Sequence, residues 1–163
     1  MSEKQKIRVG ITQGDINGIG YEIIFKTFEN AEMFEICTPI IYGSPKVAAY
    51  HRKALEMEIQ YNTIERAEEA QNGKLNIINC NSDEVHIELG TSTPEAGAAA
   101  FEALERAVKD CQEGVIDVIV TAPLNKSAIQ SEQFKFPGHT EYLQERCGND
   151  EKALMILCSG DMR

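Results

Sequence analysis

Short apolar runs alternate along this chain with longer amphipathic stretches, and this alternation constrains the fold more than any other feature. Runs of strand length occupy residues 7–12, 36–42 and 75–79. Stretches with a helical pattern follow the first two runs, over residues 21–28 and from 45 to about 57. Strands that alternate with helices pair in parallel, because each helix carries the chain back across the sheet. The sequence therefore predicts an α/β fold, with a mainly parallel sheet and helices on both faces.

The most clearly marked helix begins after Thr93. The Thr93 hydroxyl can cap it, Pro94 suits its first turn, and Gly114 follows its last apolar residues. Residues 115–120 return as a run so apolar that the sequence predicts a strand buried on both faces. Residues 153–158 repeat this character and predict another core strand.

Composition excludes several classes of protein. The chain has 163 residues, with 16 Lys and Arg against 26 Asp and Glu, so its formal net charge is −10. This charge is unfavourable for wrapping nucleic acid, whose phosphates require clustered basic residues. No apolar run approaches the roughly 18 residues of a membrane span, and the N-terminus does not read as a secretory signal. The five cysteines form no C-x-x-C pair, so we expect reduced thiols and a cytoplasmic protein.

The first candidate site is the glycine-rich segment 12–20, between a strand and a helix. Gly14, Gly18 and Gly20 permit tight turning, and the helix that follows offers free N–H groups to an anion. The segment is neither a G-x-G-x-x-G fingerprint nor a Walker loop. Either a phosphate cradle or a simple strand-to-helix turn fits this spacing.

Two further segments place polar residues where strands of a parallel sheet end. Lys126 follows the most apolar strand, so it either faces a ligand crevice or is a solvated lysine at a helix start. Gly138 predicts a turn that delivers His139 and Thr140 at a helix start, although Thr140 also suits a simple capping role. His51 has no partner at ligand spacing and receives no role, and no metal site follows from the three histidines.

Taken in order, four segments resemble the 4-hydroxythreonine-4-phosphate dehydrogenase family of vitamin B6 biosynthesis, PdxA. They are Ile11-Thr-Gln-Gly-Asp-Ile-Asn-Gly-Ile-Gly-Tyr-Glu-Ile23, Val120-Thr-Ala-Pro-Leu-Asn-Lys126, Gly138-His-Thr-Glu-Tyr-Leu143 and Leu154-Met-Ile-Leu157. The resemblance spans the whole chain, but only the first half of the family's usual length. One departure is that Ile16-Asn17 and Tyr21 stand where the family usually has Pro-Ala and Pro.

The resemblance implies an isocitrate/isopropylmalate-dehydrogenase-like fold and a homodimeric, NAD-dependent enzyme. A divalent metal (Zn, Mg or Co) binds the substrate, 4-phosphooxy-L-threonine, and NAD accepts hydride from the carbon that bears its hydroxyl. The product, 2-amino-3-oxo-4-phosphooxybutanoate, then loses CO2 to give 3-amino-2-oxopropyl phosphate. A cation near that hydroxyl favours the alkoxide and then the enolate.

The resemblance also implies site residues. His139 and Thr140 match the family's substrate-contacting pair, and we expect Lys126 and Asp15 nearby. The metal ligands and most of the NAD site are expected beyond Arg163, and residues 161–163 look like the approach to another element. The chain thus reads as the N-terminal part, residues 1–163, of a two-domain dehydrogenase, and we expect it to be inactive alone.

Two alternatives remain open from the sequence. A paralogue that oxidises a four-carbon sugar acid 4-phosphate, threonate or erythronate, shares the same motifs. A non-catalytic module that binds a small anion at His139 and Thr140 also fits. The sequence assigns no catalytic residue and no NAD contact within this chain.

Overall fold

A computed structural model describes residues 6–81, 85–130, 134–148 and 151–160. In this part of the chain, five strands form one sheet in the order β3-β4-β2-β1-β5, and each neighbouring pair is parallel. The strands are β1 (Ile7–Thr12), β2 (Cys37–Gly43), β3 (Tyr61–Ile64), β4 (Leu75–Asn79) and β5 (Val118–Thr121). The predicted α/β class with a parallel sheet is confirmed.

Six α-helices connect or flank these strands in the described ranges. They are α1 (Gly20–Phe28), α2 (Met33–Ile36), α3 (Pro45–Ala54), α4 (Pro94–Gln112), α5 (Lys126–Ile129) and α6 (His139–Cys147). The predicted cap of α4 is confirmed, because Thr93 Oγ1 accepts a hydrogen bond from Ala96 N at 3.2 Å. Helix α3 ends before Met57 because Glu56 takes a positive φ of 54°. No described helix is both long enough and apolar enough to span a bilayer.

Helices cover both faces of the sheet, as predicted. On one face, Ile41 of β2 packs in a cluster with Phe25 of α1 and Val47 of α3. On the opposite face, its neighbour Ile40 packs in a second cluster with Ala103 of α4. Successive side chains of a strand point to opposite faces, so α4 and the pair α1/α3 form separate layers.

Strand β5 corrects the expectation that residues 115–120 would be buried on both faces. It lies at the edge of the sheet and pairs only with β1 among the described strands. Val118 is 41% exposed and Val120 is 48% exposed. Both point to the face of α1, where no described helix covers β5. The apolar sequence of this strand therefore indicated burial on both faces, but the described residues cover only one of them.

The predicted core strand at residues 153–158 is also wrong for this structure. The segment has no regular secondary structure, and Leu154 and Leu157 are 83% and 81% exposed. An apolar run forms a buried strand only where a neighbouring strand offers hydrogen bonds, and none of the described strands pairs with it. The expected approach to another element, residues 161–163, lies outside the described residues.

The sequence did not predict strand β3. Its residues Tyr61, Asn62 and Thr63 are mixed in polarity and partly or fully exposed, which is typical of an edge strand. The five cysteines are free thiols. Burial raises the pKa of Cys80 to about 12, so this thiol is protonated and unreactive at neutral pH.

Candidate functional site

The candidate site lies beyond the carboxyl ends of β1 and β5, which are neighbours in the sheet. Here Asp15 N donates a hydrogen bond to Pro123 O at 2.9 Å. Gly14, with φ of +69°, packs so closely on Pro123 that a Cβ atom would overlap its carbonyl oxygen. A glycine is required at this position for both reasons. The structure thus joins the segments 12–20 and 121–127, as expected of strand ends that share one edge.

Within the glycine-rich segment, several N–H groups are already used by the protein. Asp15 Oδ1 accepts from Asn17 N at 2.9 Å, and Asp15 O accepts from Gly18 N at 3.0 Å. Together with the bond from Asp15 N to Pro123 O, three backbone N–H groups of the loop, those of Asp15, Asn17 and Gly18, are satisfied within the protein. This favours the structural-turn interpretation for the first part of the loop over a phosphate cradle.

Gln13, which sequence reasoning missed, is fully buried beneath the loop. Its Oε1 accepts from Tyr21 OH and Ser44 N, each at 3.0 Å. Its Nε2 donates to Asn81 Oδ1 at 2.6 Å. One side chain therefore ties the carboxyl ends of β1, β2 and β4 together in a buried polar network, whose members stiffen one another.

Asn17 fastens the loop to the segment that precedes α4. Its Nδ2 donates to Thr91 O at 2.9 Å and to Thr93 Oγ1 at 3.2 Å, and its Oδ1 accepts from Glu88 N at 2.8 Å. Asn17 stands where the family usually has Ala, and Tyr21 stands where it usually has Pro. Both departures from the family's pattern therefore place a polar group that fixes the loop by hydrogen bonds.

His51 is buried and supports the loop, a structural contact that the sequence did not indicate. Its Nε2 lies 2.8 Å from Ile16 O, and its ring stacks on Tyr21 with centroids 5.4 Å apart. A carbonyl oxygen only accepts, so His51 carries its proton on Nε2. The residue has a structural role and does not face the candidate site.

Lys126 is the exposed first residue of α5. Asn125 fixes the start of this helix, because its Oδ1 accepts from Ser127 N at 3.0 Å and Ala128 N at 3.1 Å. Helix α5 lies directly on α4 at Gly97, where a Cβ atom would overlap Ala128 O. The backbone beneath Lys126 is therefore held in place, while its ammonium reaches solvent.

His139 and Thr140 are the first two residues of α6, which confirms the predicted turn at Gly138. Gly138 occupies the capping position, so Thr140 is not the cap. Both side chains are half-buried. Burial lowers the pKa of His139, and the positive charge of Lys126 lowers it further. The imidazole is therefore neutral at pH 7 and lies close enough to Lys126 to feel its charge.

An aromatic cluster anchors α6 below these residues. The ring of Tyr142 packs 5.9 Å from that of Phe101, 5.5 Å from Phe134 and 5.3 Å from Phe136, measured between centroids. Phe101 belongs to α4, so one helix supports both α5 and α6. Aromatic contacts of this kind add to the stability from burial, and they fix where His139 emerges.

The structure brings three of the four predicted site residues into one region, namely Lys126 and the adjacent pair His139 and Thr140. Lys126 and His139 are electrostatic neighbours. The hydrogen bonds of Asp15 within the described ranges are to Asn17, Gly18 and Pro123, so the structure does not join Asp15 to His139. An ammonium, a neutral imidazole and a hydroxyl at one sheet edge suit a small anion.

Metal binding needs a different donor set. Across the described ranges, no three His, Cys, Asp or Glu side chains gather closely enough to hold a metal ion. The described residues therefore do not form a metal site by themselves.

A parallel α/β sheet with polar residues at its carboxyl edge defines a class of small-molecule-binding α/β proteins, many of them enzymes. The chain belongs to the PdxA family, because the family model described as pyridoxal phosphate biosynthetic protein PdxA matches residues 35–163. The resemblance noted from the sequence motifs is confirmed.

Individual relatives agree with this assignment. The chain is 60% identical over 161 residues to a 4-hydroxythreonine-4-phosphate dehydrogenase of Bacteroides thetaiotaomicron, covering 99% of this chain and 44% of the relative. It is 36% identical over 151 residues to a putative D-threonate 4-phosphate dehydrogenase of Oceanobacillus iheyensis. This match covers 91% of this chain and 46% of the relative. The chain thus spans less than half the length of these curated relatives.

A solved structure shows the same partial overlap. The fold is similar to that of a 4-hydroxythreonine-4-phosphate dehydrogenase from Burkholderia phymatum, with a TM-score of 0.80 and 35% sequence identity. The match covers 91% of this chain and 46% of that chain. The described sheet is therefore part of the architecture of this family.

Proposed function

We propose that residues 1–163 are the N-terminal part of an NAD-dependent 4-phosphooxy-L-threonine dehydrogenase of vitamin B6 biosynthesis. The observation that carries the proposal is the 60% identity to the Bacteroides thetaiotaomicron enzyme over 99% of this chain. Identity at this level, over 161 residues, favours a shared substrate.

The reaction is oxidation of the substrate's secondary hydroxyl to give 2-amino-3-oxo-4-phosphooxybutanoate. This β-keto acid loses CO2 and yields 3-amino-2-oxopropyl phosphate. When bound, NAD supplies the hydride acceptor for the oxidation. The role of the present chain is to bind and orient the phosphorylated substrate.

Lys126, His139 and Thr140 are proposed to contact the substrate. The Lys126 ammonium attracts a phosphate or carboxylate group. His139 has a lowered pKa, so at pH 7 it offers one hydrogen bond as donor or acceptor without adding a second positive charge. The Thr140 hydroxyl offers another. Asp15 is proposed nearby through its loop, which it holds against Pro123.

The remaining parts of the site are proposed to come from outside these 163 residues. A divalent metal (Zn, Mg or Co) would be held by residues beyond Arg163, as would most of the NAD. We propose a homodimer that works in the cytoplasm on a small phosphorylated substrate. The net charge of −10 supports a non-nucleic-acid ligand.

A D-threonate 4-phosphate dehydrogenase is the second candidate function. It is supported by the 36% identity to the Oceanobacillus iheyensis relative, which is well below the identity that supports the first. The two substrates differ in an amino or a hydroxyl group at one carbon. That difference decides between the two functions.

The test is NAD reduction by the full-length protein, with 4-phosphooxy-L-threonine and D-threonate 4-phosphate compared under equal metal supply. The proposal expects a kcat/KM at least about tenfold higher for the amino substrate, one lost polar contact being worth ~1.5 kcal/mol. A preference for threonate phosphate would establish the second candidate. Turnover of neither, with retained phosphate binding, would favour an anion-binding module.

The 163-residue chain alone is expected to show no turnover. It is assayed in parallel with the full-length protein, using the same substrate, NAD and zinc. Measurable NAD reduction by the short chain would contradict the assignment of metal and NAD sites to residues beyond Arg163.

A further inference from the structure

Two of the five cysteines lie near each other where the C-terminal ends of α4 and α6 meet. Cys111 is in the last turn of α4, and Cys147 is the last residue of α6. The residues next to them are in direct contact, because Gln112 Nε2 donates a hydrogen bond to Arg146 O. The fold therefore brings together two thiols that are distant in the sequence.

The contact between α4 and α6 runs along both helices and reaches these cysteines. Beyond the aromatic cluster that anchors α6, Glu105 Oε1 lies 3.5 Å from Arg146 Nη2. Residues three or four apart share one face of a helix. Two steps of three residues lead from Glu105 to Cys111 on α4, and Cys147 directly follows Arg146 on α6. The thiols thus continue a contact that the ion pair begins.

The two thiols differ in their access to solvent. Cys147 is exposed, whereas Cys111 is partly buried. Burial raises the pKa of the Cys111 thiol, and the nearby Cys147 and Asp117 raise it further. Oxidation of cysteine follows exposure and thiolate character. Cys147 is therefore the thiol that meets an oxidant from solvent first, and Cys111 is its partner at the helix contact.

We propose that Cys111 and Cys147 form a reversible disulfide when the protein meets a peroxide. The Cys147 thiolate attacks a peroxide oxygen, the O–O bond breaks, and a sulfenic acid and one water result. The Cys111 sulfur then attacks the sulfenic sulfur, which forms the S–S bond, breaks the S–O bond and releases a second water. The two thiols lose two electrons and two protons, and hydrogen peroxide is reduced to two waters. Disulfides of this transient kind occur in reducing compartments.

The disulfide closes a loop of chain that contains Lys126, His139 and Thr140. It joins the C-terminal end of α6 to α4, while His139 and Thr140 lie at the opposite end of α6. A disulfide needs Cα atoms about 4.4–6.8 Å apart. Cys147 can adjust to this distance because it ends the helix, where Gly148 is the cap and helical turns fray. Oxidation therefore fixes the helix that carries the candidate anion site without occupying that site.

The test maps disulfides in the full-length protein after treatment with hydrogen peroxide. Free thiols are blocked with N-ethylmaleimide, and the protein is digested with trypsin. Cleavage after Lys and Arg places Cys111, Cys147 and Cys158 in separate peptides, residues 110–126, 147–152 and 153–163. Cys147→Ser removes the reacting thiol, and Cys158→Ser is the matched control because Cys158 is also exposed.

The proposal expects peptide 110–126 linked to 147–152 within one chain. This pair should exceed any link from 110–126 to 153–163 at least about tenfold, since neighbouring groups have a high effective concentration. Dithiothreitol should release it, Cys147→Ser should abolish it, and Cys158→Ser should leave it unchanged. The proposal is overturned if peptide 147–152 carries only maleimide or sulfinic acid, or is linked to 153–163 or to a second chain.

Hydrogen exchange tests the consequence for α6. In the oxidised protein, amides of α6 should exchange at least about tenfold more slowly than in the reduced protein, because the tie opposes local opening. Amides of α3, which the bond does not touch, serve as the control. Equal exchange in α6 would overturn the claim that the bond fixes this helix. None of these measurements uses NAD reduction, so their failure is distinguishable from failure of the proposed activity.

Discussion

The ammonium of Lys126 lies near the imidazole of His139, although the two residues belong to different short helices. Burial lowers the pKa of His139, and the charge of Lys126 lowers it further. Helix α4 makes this arrangement possible, because α5 rests on Gly97 and α6 rests on Phe101 of the same helix. A single helix therefore supports both of the helices that carry these two residues.

Replacing Lys126 with Gln should raise the pKa of His139. The substitution removes the positive charge and leaves the burial, so the pKa should move toward its ordinary value of about 6.5 without reaching it. The measurement is an NMR titration of the imidazole. Lys109→Gln, at an exposed position of α4, is the control and should leave His139 unchanged. Identical titration in both variants would mean that Lys126 does not act on His139.

The lowered pKa of His139 predicts a loss of stability in mild acid. The unfolded chain binds a proton at this residue near pH 6.5, whereas the folded chain binds it only at lower pH. Since the unfolded state then holds more protons, the free energy of unfolding falls as pH drops below about 6.5. Urea unfolding between pH 7.5 and 5.5 measures this. His139→Gln should flatten the slope, and His86→Gln, at an exposed position, should not.

Replacing Gly14 with Ala should destabilise the protein by about 2–4 kcal/mol, more than its backbone angle alone explains. A positive φ costs a non-glycine residue about 1–2 kcal/mol, and the Cβ atom also overlaps Pro123 O. Gly73→Ala is the matched control, because Gly73 has a similar φ of +75° and nothing within 4 Å. Equal losses in chemical denaturation would show that the close approach of the two loops carries no energy.

Replacing Gln13 should lower the free energy of unfolding more than replacing any other polar residue beneath the site. Gln13→Met keeps the volume but leaves Tyr21 OH, Ser44 N and Asn81 Oδ1 without this partner. Each buried polar group that loses its partner costs about 1–3 kcal/mol, so the expected loss is about 2–4 kcal/mol. The control is Gln60→Met, at an exposed position. A fall in the free energy of unfolding of less than about 0.5 kcal/mol for Gln13→Met would mean that this hydrogen-bond network contributes little to stability.

Local signals predicted the parts of the fold that depend on nearby residues. The Thr93 cap, the strands β1 and β4, and the turn at Gly138 all follow from residues within a few positions of one another. Burial depends instead on distant neighbours. The apolar character of Val118 and Val120 could not reveal that β5 lies at an edge.

The same contrast between local signals and distant contacts holds for the candidate site. The residue types at Lys126, His139 and Thr140 indicated an anion site, and the motif resemblance identified them. Gln13 bonds to Ser44 and Asn81, which lie 31 and 68 residues away along the chain, and His51 bonds to Ile16, 35 residues away. No local pattern could indicate these pairings. Long-range pairing of polar side chains is settled by packing, which single-sequence reasoning does not supply.

His139 is the residue on which the proposed substrate site depends most, and its replacement tests that site directly. In the full-length enzyme, His139→Ala should lower kcat/KM by roughly tenfold or more, since a lost polar contact to a charged group is worth about 1.5–3 kcal/mol. His86→Ala, at an exposed histidine that pairs only with Glu88 among the described ion pairs, controls for loss of a histidine as such. Because His139 sits on the first turn of α6, circular dichroism must first establish that the variant keeps its fold. An unchanged kcat/KM in a folded variant would remove His139 from the substrate site and leave Lys126 as the remaining candidate there.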